Sequence, residues 1–260
     1  MAEGSKVRVD RHGSVSVIAF NSPEVLNAFT PEMAIEIAVA INGEAHGGAR
    51  ALIVTGTGRG FCAGANLAGV AGNGTADVIG MMEDFYKPLA RAFADCPVPI
   101  VNAVNGVAAG AGASLAFSGD IIIAARSANF VFTFANLGLT PDVGGTWLVA
   151  RAAGRVRALE MALLAEKMSA EKAERYNLVT EVVDDERLME RAMEVAQKLA
   201  SMPTKTLGLI REQVRAALES SFEASLDVEA RFQQAATATE DFREGMKAFA
   251  ERRPPQFTGR

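Results

Sequence analysis

Apolar and polar positions near the start of the chain change from a period of two to a period of about 3.6, which predicts strands followed by a helix. The segments Lys6–Asp10 and Val15–Phe20 flank His12-Gly13 and predict a β-hairpin. Thr30 and Pro31 then stand where an N-cap and a first helical residue are expected, and a helical pattern follows them.

Short apolar runs separated by glycine and proline fill the middle of the chain. We predict a helix over about Val78–Asp95 that Pro88 kinks or divides, and a closely packed helix over Ala108–Phe117, where the side chains are small. A glycine-rich loop, Gly56–Gly64, precedes both. The runs that predict buried strands are Arg50–Thr55, Ile100–Val104 and Ile121–Ala124.

Helical periodicity dominates the later part of the chain. It begins near Ala158, is interrupted by one short strand within Leu178–Val183, and breaks at Pro203. After Pro203 the pattern predicts helices and then a non-helical tail. We therefore predict an α/β core over residues 1–200 and a helical region over residues 201–260.

Composition and charge narrow the class of protein. Of the 260 residues, 49% are hydrophobic and 22% charged, as in a globular domain. The net charge of −5 and the lack of a long lysine and arginine run argue against nucleic acid as a partner. No apolar run approaches the ~20 residues that a membrane span needs, and the N-terminus has no apolar signal segment. We therefore expect a cytoplasmic protein without a membrane partner.

Cysteine and histidine are scarce. The chain has two cysteines, Cys62 and Cys96, and two histidines, His12 and His46. Two cysteines cannot form a disulfide framework, and none of these residues has the spacing of zinc ligands. We therefore predict no metal site.

Three glycine-containing motifs resemble known signatures without matching them. Gly56–Phe61 has phenylalanine where a dinucleotide loop needs its third glycine. Gly112–Ala116 is close to a serine nucleophile motif, but both histidines precede Ser114, against the order of that fold. Gly106–Gly112 lacks the lysine of a phosphate loop. Oxidoreductase, serine hydrolase and kinase chemistry are therefore not indicated.

Two loops with very small side chains follow apolar strands, at Phe61–Leu67 and Gly106–Gly112. Small side chains let the main chain approach a ligand closely. If the loops face each other, two N–H groups can point at one oxygen, which is the geometry of an oxyanion hole. The alternative interpretation of these loops is close packing alone.

Four segments resemble the crotonase superfamily, the enoyl-CoA hydratase/isomerase family, in the same order and spacing. The resemblance implies an α/β fold of the ClpP/crotonase type, a spiral of ββα turns followed by a helical C-terminal region. It also implies an acyl-CoA substrate, no cofactor apart from the coenzyme A of that substrate, and a homotrimer or hexamer. The segments are Asn21–Phe29, Gly56–Leu67, Val104–Ala125 and Leu137–Trp147.

The same resemblance implies which main-chain groups bind the thioester. One oxyanion N–H falls on Ala65, followed by Asn66 where the family pattern has aspartate, and the other falls on Ala111, between Gly110 and Gly112. The residues that the resemblance implies for coenzyme A binding are Val25, Leu26, Ala28, Ala63, Ala65, Asn66, Leu67 and Ala111.

The two glutamates that handle water in family hydratases fall on Ser114 and Phe134 here. Neither side chain can act as a carboxylate base, so hydration by that pair is not expected. Asp142 is the remaining carboxylate, and in isomerase branches an aspartate at this position moves a proton. The match is closer to the ring-1,2-epoxyphenylacetyl-CoA isomerase branch of phenylacetate degradation, and includes Pro141–Arg155 and Asp241–Phe249.

Asp142 therefore has two interpretations. As a proton shuttle it would have a raised pKa, because Phe130, Phe132, Phe134, Leu137, Leu139 and Trp147 predict apolar surroundings. As a structural residue it would be the N-cap of a helix over Gly144–Arg151. Beside an isomerase using Asp142, two other functions stay open: a hydratase with a different base, and a non-catalytic acyl-CoA-binding protein.

Overall fold

The computed structural model describes residues 5–66 and 77–260, which form two β-sheets surrounded by helices. Ten strands lie in this part of the chain: β1 (Val7–His12), β2 (Val15–Phe20), β3 (Ala51–Gly56), β4 (Gly60–Cys62), β5 (Ile100–Val104), β6 (Val107–Ala109), β7 (Ile121–Ala125), β8 (Asn129–Val131), β9 (Met168–Ser169) and β10 (Glu181–Val183). The larger sheet has the order β1-β2-β3-β5-β7-β10, and the smaller one has the order β4-β6-β8-β9.

Helices follow or connect these strands. Those of the described residues are α1 (Pro31–His46), α2 (Val78–Met81), α3 (Lys87–Ala94), α4 (Ala111–Ala116), α5 (Gly145–Leu164), α6 (Ala170–Arg175), α7 (Leu188–Ala200), α8 (Thr204–Ala217), α9 (Phe222–Thr237) and α10 (Glu240–Glu251). Short 3-10 turns lie at Pro23–Val25, Thr133–Leu137 and Asp185–Arg187. Strands followed by helices agree with the predicted α/β class.

The hydrophobic core lies where α1 and α7 pack against the larger sheet. Strand β2 is buried along its whole length, because its parallel neighbour β3 and the helices cover it. Six phenylalanines are among the largest fully buried side chains: Phe20, Phe29, Phe61, Phe93, Phe130 and Phe132. Burying a side chain of this size stabilises the fold by about 1.5–3 kcal/mol.

The first predicted elements are confirmed. Strands β1 and β2 pair in antiparallel register around Gly13, which has a positive φ of 63°. Helix α1 has Pro31 in its first turn, and the Thr30 hydroxyl accepts a hydrogen bond from the Met33 N–H as N-cap. Local capping chemistry was sufficient to predict where this helix begins.

Two predictions for the small-residue segments are wrong. The glycine-rich loop predicted over Gly56–Gly64 contains strand β4, and the helix predicted over Ala108–Phe117 is strand β6 at its start and helix α4 only from Ala111. These short strands belong to the smaller sheet, where β4 pairs with β6 and β6 with β8. Strands of three residues are too short to give a periodic signal, so only tertiary pairing defines them.

Pro88 divides the predicted helix over Val78–Asp95. The chain forms α2, a π-helical turn over Met82–Tyr86, and then α3 with Pro88 in its first turn. Proline lacks the N–H that an α-helix needs at this point, so the helix changes its hydrogen-bond pattern before it. The change places Tyr86 at the junction of the two helical segments.

Helix α5 begins at Gly145, where the alternative interpretation of Asp142 placed a helix, and extends to Leu164 through the region near Ala158 where helical periodicity begins. Gly154 interrupts it with a φ of 80°. The predicted short strand is confirmed as β10, although it covers only the end of Leu178–Val183. Helix α8 begins directly after Pro203, and residues 252–260 are not helical, as predicted. The division into units over residues 1–200 and 201–260 stays a prediction.

The last three helices expose large apolar side chains. Phe222 is 75% exposed and Phe249 is 83% exposed, and Val214, Leu218 and Met246 are also exposed.

No helix among residues 5–66 and 77–260 is long and apolar enough to cross a bilayer.

Candidate active site

The two small-residue loops lie against each other because their glycines leave no side chain between them. A Cβ atom at Gly64 would lie 2.7 Å from the Ala109 carbonyl oxygen and 3.3 Å from the Ala111 nitrogen. A Cβ atom at Gly112 would lie 2.1 Å from the Cys62 carbonyl oxygen. The structure therefore brings together the two segments that were predicted to face one another, and only glycine permits this approach.

Ala65 and Ala111 present main-chain groups at this junction. Ala65 forms a parallel bridge with Phe29, in which the Phe29 N–H donates to the Gly64 carbonyl and the Asn66 N–H donates to the Phe29 carbonyl, both at 2.9 Å. Neither hydrogen bond uses the Ala65 N–H. Ala111 is the first residue of α4, and an N–H at that position has no partner within its own helix.

Gly110 orients the Ala111 N–H. Its φ of 53° and ψ of −129° are accessible to glycine and strained for other residues. Its N–H donates to the Val131 carbonyl at 2.8 Å, while its own carbonyl accepts from Ala113 at 3.0 Å and from Ser114 at 3.3 Å. The turn that carries Ala111 is thus held at both ends by hydrogen bonds.

The predicted coenzyme A loop packs beside the first of these segments. Val25 is exposed, Leu26 and Ala28 are partly exposed, and the Ala63 N–H donates to the Leu26 carbonyl at 2.9 Å. Asn66, also predicted to bind coenzyme A, is exposed. Leu67 lies outside the residues that the structure describes. The other described members of the predicted set come from these two touching loops, and Ala111 comes from the start of α4, which lies against Gly64.

Asn27 lies within the predicted coenzyme A loop and holds it in place, a role that was not predicted for its side chain. It is fully buried and has a positive φ of 57°, next to Leu26 with a φ of 52°. Its side chain accepts from the Ser22 N–H at 2.9 Å and donates to the carbonyls of Thr57, at 2.9 Å, and Gly60, at 2.8 Å. Asparagine tolerates the left-handed region better than other residues with a side chain, which was the available signal.

Asp142 is a partly buried carboxyl group between the 3-10 turn at Thr133–Leu137 and helix α5. Burial raises its pKa from 3.8 to about 6, because the charged form loses solvation. Within residues 5–66 and 77–260, no group donates a hydrogen bond to its Oδ1 atom. A carboxyl group with these properties can both accept and release a proton near neutral pH.

The interpretation of Asp142 as a helix N-cap is wrong. Helix α5 has Gly144 as its N-cap residue, without a side-chain capping bond. Asp142 contributes only its main-chain carbonyl, which accepts from the Gly145 N–H at 2.9 Å. The carboxyl group is therefore not used to begin the helix.

The chain is strained directly after Asp142. Val143 is buried and has a φ of 50°, and Gly144 follows with a φ of 79°. A β-branched residue in the left-handed region is a rare conformation that costs about 1–3 kcal/mol and is concentrated at functional sites. Sequence gave no signal for this strain, since valine does not favour the conformation.

Ser114 and Phe134, which occupy the positions of the hydratase glutamates, are both buried. A Cβ atom at Gly145 would lie 2.3 Å from the Ser114 Oγ atom, so the start of α5 packs directly on α4. The Phe134 ring lies 4.0 Å from the Cβ position of Gly110 and contacts Phe132 edge to face at 5.8 Å. The wall between the Ala111 turn and the start of α5 is therefore made of a hydroxyl group and aromatic rings.

The apolar surroundings predicted for Asp142 are only partly present. Phe130, Phe132 and Phe134 are buried as expected. Leu137 and Leu139 are instead 57% and 47% exposed in this chain.

Tyr86 is a further residue of this region, and the sequence predicted no individual role for it. Its ring is buried and meets Phe29, the bridge partner of Ala65, edge to face at 5.6 Å. Burial and, second, the negative charge of Asp142 raise its pKa to about 12. Tyr86 therefore lies near both Asp142 and the Ala65 loop, as a neutral phenol at physiological pH.

Metal ions in proteins are commonly held by clusters of acidic, cysteine and histidine side chains. In the part of the chain that the structure describes, no three such side chains are placed to hold a metal ion. The polar groups that the structure describes at this site are main-chain N–H groups, the Asp142 carboxyl group and the Tyr86 phenol.

Known proteins resemble this chain over nearly its full length. The enoyl-CoA hydratase/isomerase family matches residues 10–260. The 1,2-epoxyphenylacetyl-CoA isomerase of Escherichia coli is 48% identical over 250 residues, 95% of each chain. A Rhodobacter capsulatus protein named "Probable enoyl-CoA hydratase" is 42% identical over 98% of each chain. The crystal structure of an enoyl-CoA hydratase subunit from Geobacillus kaustophilus has a TM-score of 0.92 at 34% identity, covering 98% of each chain.

These likenesses confirm the predicted fold, a crotonase-type ββα spiral with a helical C-terminal region. Names of isomerases and of hydratases both occur among the similar proteins. The choice between the two reactions therefore depends on the side chains of this chain.

Proposed function

Because the chain belongs to the enoyl-CoA hydratase/isomerase family, we propose that it is an acyl-CoA isomerase that forms a thioester enolate and moves a proton with Asp142. The observation that carries the proposal is the partly buried Asp142 carboxyl group, whose pKa is raised to about 6 and whose Oδ1 accepts no hydrogen bond from residues 5–66 and 77–260. Ser114 and Phe134 supply no second carboxylate at the positions where hydratases have theirs.

In the proposed reaction the N–H groups of Ala65 and Ala111 bind the thioester oxygen. Negative charge develops on that oxygen only as the enolate forms, so these donors stabilise the transition state more than the substrate. Losing one donor of this kind raises the barrier by about 3–4 kcal/mol. The contact between the Gly64 and Ala111 segments supports this role, because it fixes the two donors relative to each other.

Asp142 then moves one proton. Its carboxylate takes a proton from C2 of the acyl group, and the C2–H electron pair enters the enolate. The resulting carboxylic acid returns the proton to C4, and the double bond moves from C3–C4 to C2–C3. No water, metal or redox partner is consumed, so a single carboxyl group is sufficient.

We propose ring-1,2-epoxyphenylacetyl-CoA as the substrate and an oxepin-CoA as the product. In this reaction the C–C bond shared by the epoxide and the ring breaks and its electrons enter the double bonds of the seven-membered ring, while Asp142 moves a proton from C2 of the acyl group to the ring, so that no atom is gained or lost. The isomerisation of 3-enoyl-CoA to 2-enoyl-CoA is the proton shift alone. The name of the 48% identical Escherichia coli protein supports this substrate and a role in phenylacetate catabolism. Coenzyme A would contact the loops at Val25–Ala28 and Ala63–Asn66, which touch through the Ala63 N–H.

An enoyl-CoA hydratase is the second candidate, favoured by the names of the Rhodobacter relative and the Geobacillus structure. It would need a base other than the glutamate pair. A non-catalytic acyl-CoA-binding protein is the third candidate.

We also propose that the protein is cytoplasmic and forms a homotrimer or hexamer. The exposed Phe222 and Phe249 side chains support an oligomer, since apolar faces of this kind favour association.

The experiment is to compare wild type with Asp142→Asn and, as a matched control, with Asp227→Asn, an exposed aspartate on α9. Each protein is given ring-1,2-epoxyphenylacetyl-CoA, a 3-enoyl-CoA and a 2-enoyl-CoA, and product mass and absorbance are recorded. We expect Asp142→Asn to bind acyl-CoA normally and to lose about 100-fold or more of its isomerase turnover.

The control variant should keep wild-type activity. Near-normal isomerisation by Asp142→Asn would exclude the proposed role of Asp142. Addition of water to the 2-enoyl-CoA by wild type would favour the hydratase, and binding without any turnover would favour the non-catalytic protein.

A further inference from the structure

Asn102 is a fully buried amide in the middle of strand β5, where its neighbours in the strand are apolar. Its main chain pairs with Val54 of β3 on one side and with Ile122 of β7 on the other, so its place in the larger sheet is fixed. Its side-chain Oδ1 atom has no hydrogen-bond partner in the part of the chain that the structure describes. A buried acceptor without a partner destabilises a fold, so stability alone does not explain an asparagine at this position.

The side-chain nitrogen of Asn102 reaches the end of helix α4. It donates to the Leu115 carbonyl at 2.8 Å and to the Ala116 carbonyl at 3.0 Å. Carbonyls in the last turn of a helix have no partner within the helix, so these two bonds tie the end of α4 to the larger sheet. Gly119 permits the approach, since a Cβ atom there would lie 2.7 Å from the Asn102 Cγ atom.

The opposite end of α4 begins with Ala111, the proposed donor, and Gly112 lies directly beside it. A Cβ atom at Gly112 would lie 2.1 Å from the Cys62 carbonyl oxygen, so the helix rests on the main chain of β4 at this point. A short helix that rests on one contact near its start can tilt about that contact when its far end is released. Such a tilt would turn the Ala111 N–H away from its direction.

We infer that Asn102 is a positioning residue for the Ala111 N–H, because its two hydrogen bonds fix the tilt of α4 and so the direction in which this donor points. The inference rests on the proposed pair of main-chain donors and is independent of the proton transfer by Asp142. Asn102 acts through α4 and not on the substrate itself. Small displacements of a group that stabilises a transition state lower the rate steeply, which gives a distant amide a measurable effect.

The test replaces Asn102 by valine, which β5 already carries at Val101 and Val104, and separately by alanine, which is smaller than asparagine. Neither variant has a side-chain donor. The matched control is Thr55→Val in the neighbouring strand β3, because Thr55 is buried and its hydroxyl donates to the Ala103 carbonyl at 2.8 Å. The control therefore loses a buried hydrogen bond to β5 and none to α4.

The first measurement is the infrared stretching frequency of the thioester carbonyl in bound butyryl-CoA, labelled with carbon-13 at that carbonyl. Hydrogen bonds to a carbonyl lower its stretching frequency, so the shift from free to bound ligand reports the donors without any turnover. We expect both Asn102 variants to show a smaller shift than wild type and Thr55→Val to show the wild-type shift. A loss of stability alone would lower the amount of folded protein and leave the frequency of the bound ligand unchanged.

The second measurement is the steady-state rate with a 3-enoyl-CoA. We expect kcat to fall about ten- to a hundredfold in both Asn102 variants, less than for complete removal of a donor, while KM changes by less than about threefold. The reason for this difference is that the donor acts mainly on the charge that develops in the enolate. Thr55→Val should keep the wild-type kcat.

The wild-type carbonyl shift in both Asn102 variants would overturn the assignment, and so would an equally reduced shift in Thr55→Val. Failure of both Asn102 variants to fold, beside a folded control, would show that Asn102 serves stability only. A wild type that binds butyryl-CoA without any shift would exclude the pair of main-chain donors, and the role of Asn102 with it. An inactive wild type with a carbonyl shift would overturn the proposed proton transfer alone, and the shifts of the variants would still decide the role of Asn102.

Discussion

The burial of Asp142 sets the pKa on which the rate of the proposed proton transfer depends. Burial raises its pKa to about 6 from an ordinary value of 3.8, so its neutral form is favoured relative to an exposed aspartate. A base of this kind is still largely ionised at neutral pH, and its conjugate acid can return the proton readily. The group thus suits a reaction that takes and returns one proton.

The raised pKa predicts an acidic limb in the pH–rate profile. Because only the ionised form accepts a proton, we expect kcat/KM to fall about tenfold for each pH unit below the pKa of Asp142, which is about 6. The measurement is kcat/KM against pH with 3-enoyl-CoA. A limb centred near the ordinary value of 3.8, or none, would show that the reaction does not depend on a buried Asp142.

The same shift sets the sign of the effect on stability. The folded chain binds the Asp142 proton more tightly than the unfolded chain does. The contribution of this group to the free energy of unfolding is therefore fully present below about pH 4 and is lost as the pH rises through about 6. At neutral pH the folded protein therefore lacks this contribution to its stability, at the same residue that performs the proposed chemistry.

Some residues of the candidate site could be given a role from the sequence, and others could not. Ala65 and Ala111 were assigned by resemblance, and the structure brings their segments together. Asn27, Tyr86 and Val143 were not assigned, since their contacts or dihedral angles depend on residues distant in sequence. Long-range contacts of this kind leave no local pattern.

At the scale of elements, the site depends on close approach between short strands and turns. Strand β4 carries the Ala65 segment and strand β6 carries the Ala111 turn, and the two strands pair in parallel. Gly64 and Gly112 permit main-chain contact where any side chain would separate the segments. The spacing of the proposed donors is therefore set by strand pairing and by two glycines.

Gly64→Ala tests this dependence. The added Cβ would meet the Ala109 carbonyl at 2.7 Å, and the φ of 94° is strained for alanine. We expect displacement of the Ala111 turn, a loss of kcat of about 100-fold or more, and a loss of stability of about 1–3 kcal/mol. Steady-state kinetics and thermal unfolding measure the two effects.

Gly43→Ala is the matched control, because Gly43 lies within α1 and its added Cβ would meet nothing within 4 Å. Alanine favours the helix more than glycine, so this variant should be as stable as wild type or more so. Wild-type turnover by Gly64→Ala would contradict the view that the glycine contact positions a donor.

Long helices and strands could be predicted from the sequence, whereas the shortest strands could not. The hairpin and α1 were predicted because alternation, a threonine cap and a first-turn proline are local signals. Strands β4 and β6 were not predicted, since three small residues have no period and gain their structure from pairing. The elements that build the proposed site were thus the least visible in the sequence.

At the scale of the whole molecule, the core and the C-terminal helices have different surfaces. Helices α1 and α7 bury their apolar faces against the larger sheet, while α9 and α10 leave Phe222, Phe242 and Phe249 exposed. Alternating elements predicted an α/β body followed by helices, and the fold agrees. The proposed association between chains would cover these phenylalanines, and a single sequence does not encode such an interface by a local pattern.

The central claim concerns the path of one proton through the whole site, from C2 of the acyl group to C4 by way of Asp142. The most direct measurement uses a 3-enoyl-CoA carrying deuterium at C2, in a single turnover in ordinary water, with the position of the label in the product determined by mass spectrometry and NMR. Asp142 is only partly exposed, so the deuteron it accepts should be returned faster than it exchanges with solvent in at least a fraction of turnovers. The account predicts 2-enoyl-CoA with deuterium at C4, and no such product from Asp142→Asn. A product heavier by one water molecule, or deuterium transfer to C4 by Asp142→Asn at the wild-type rate, would contradict it.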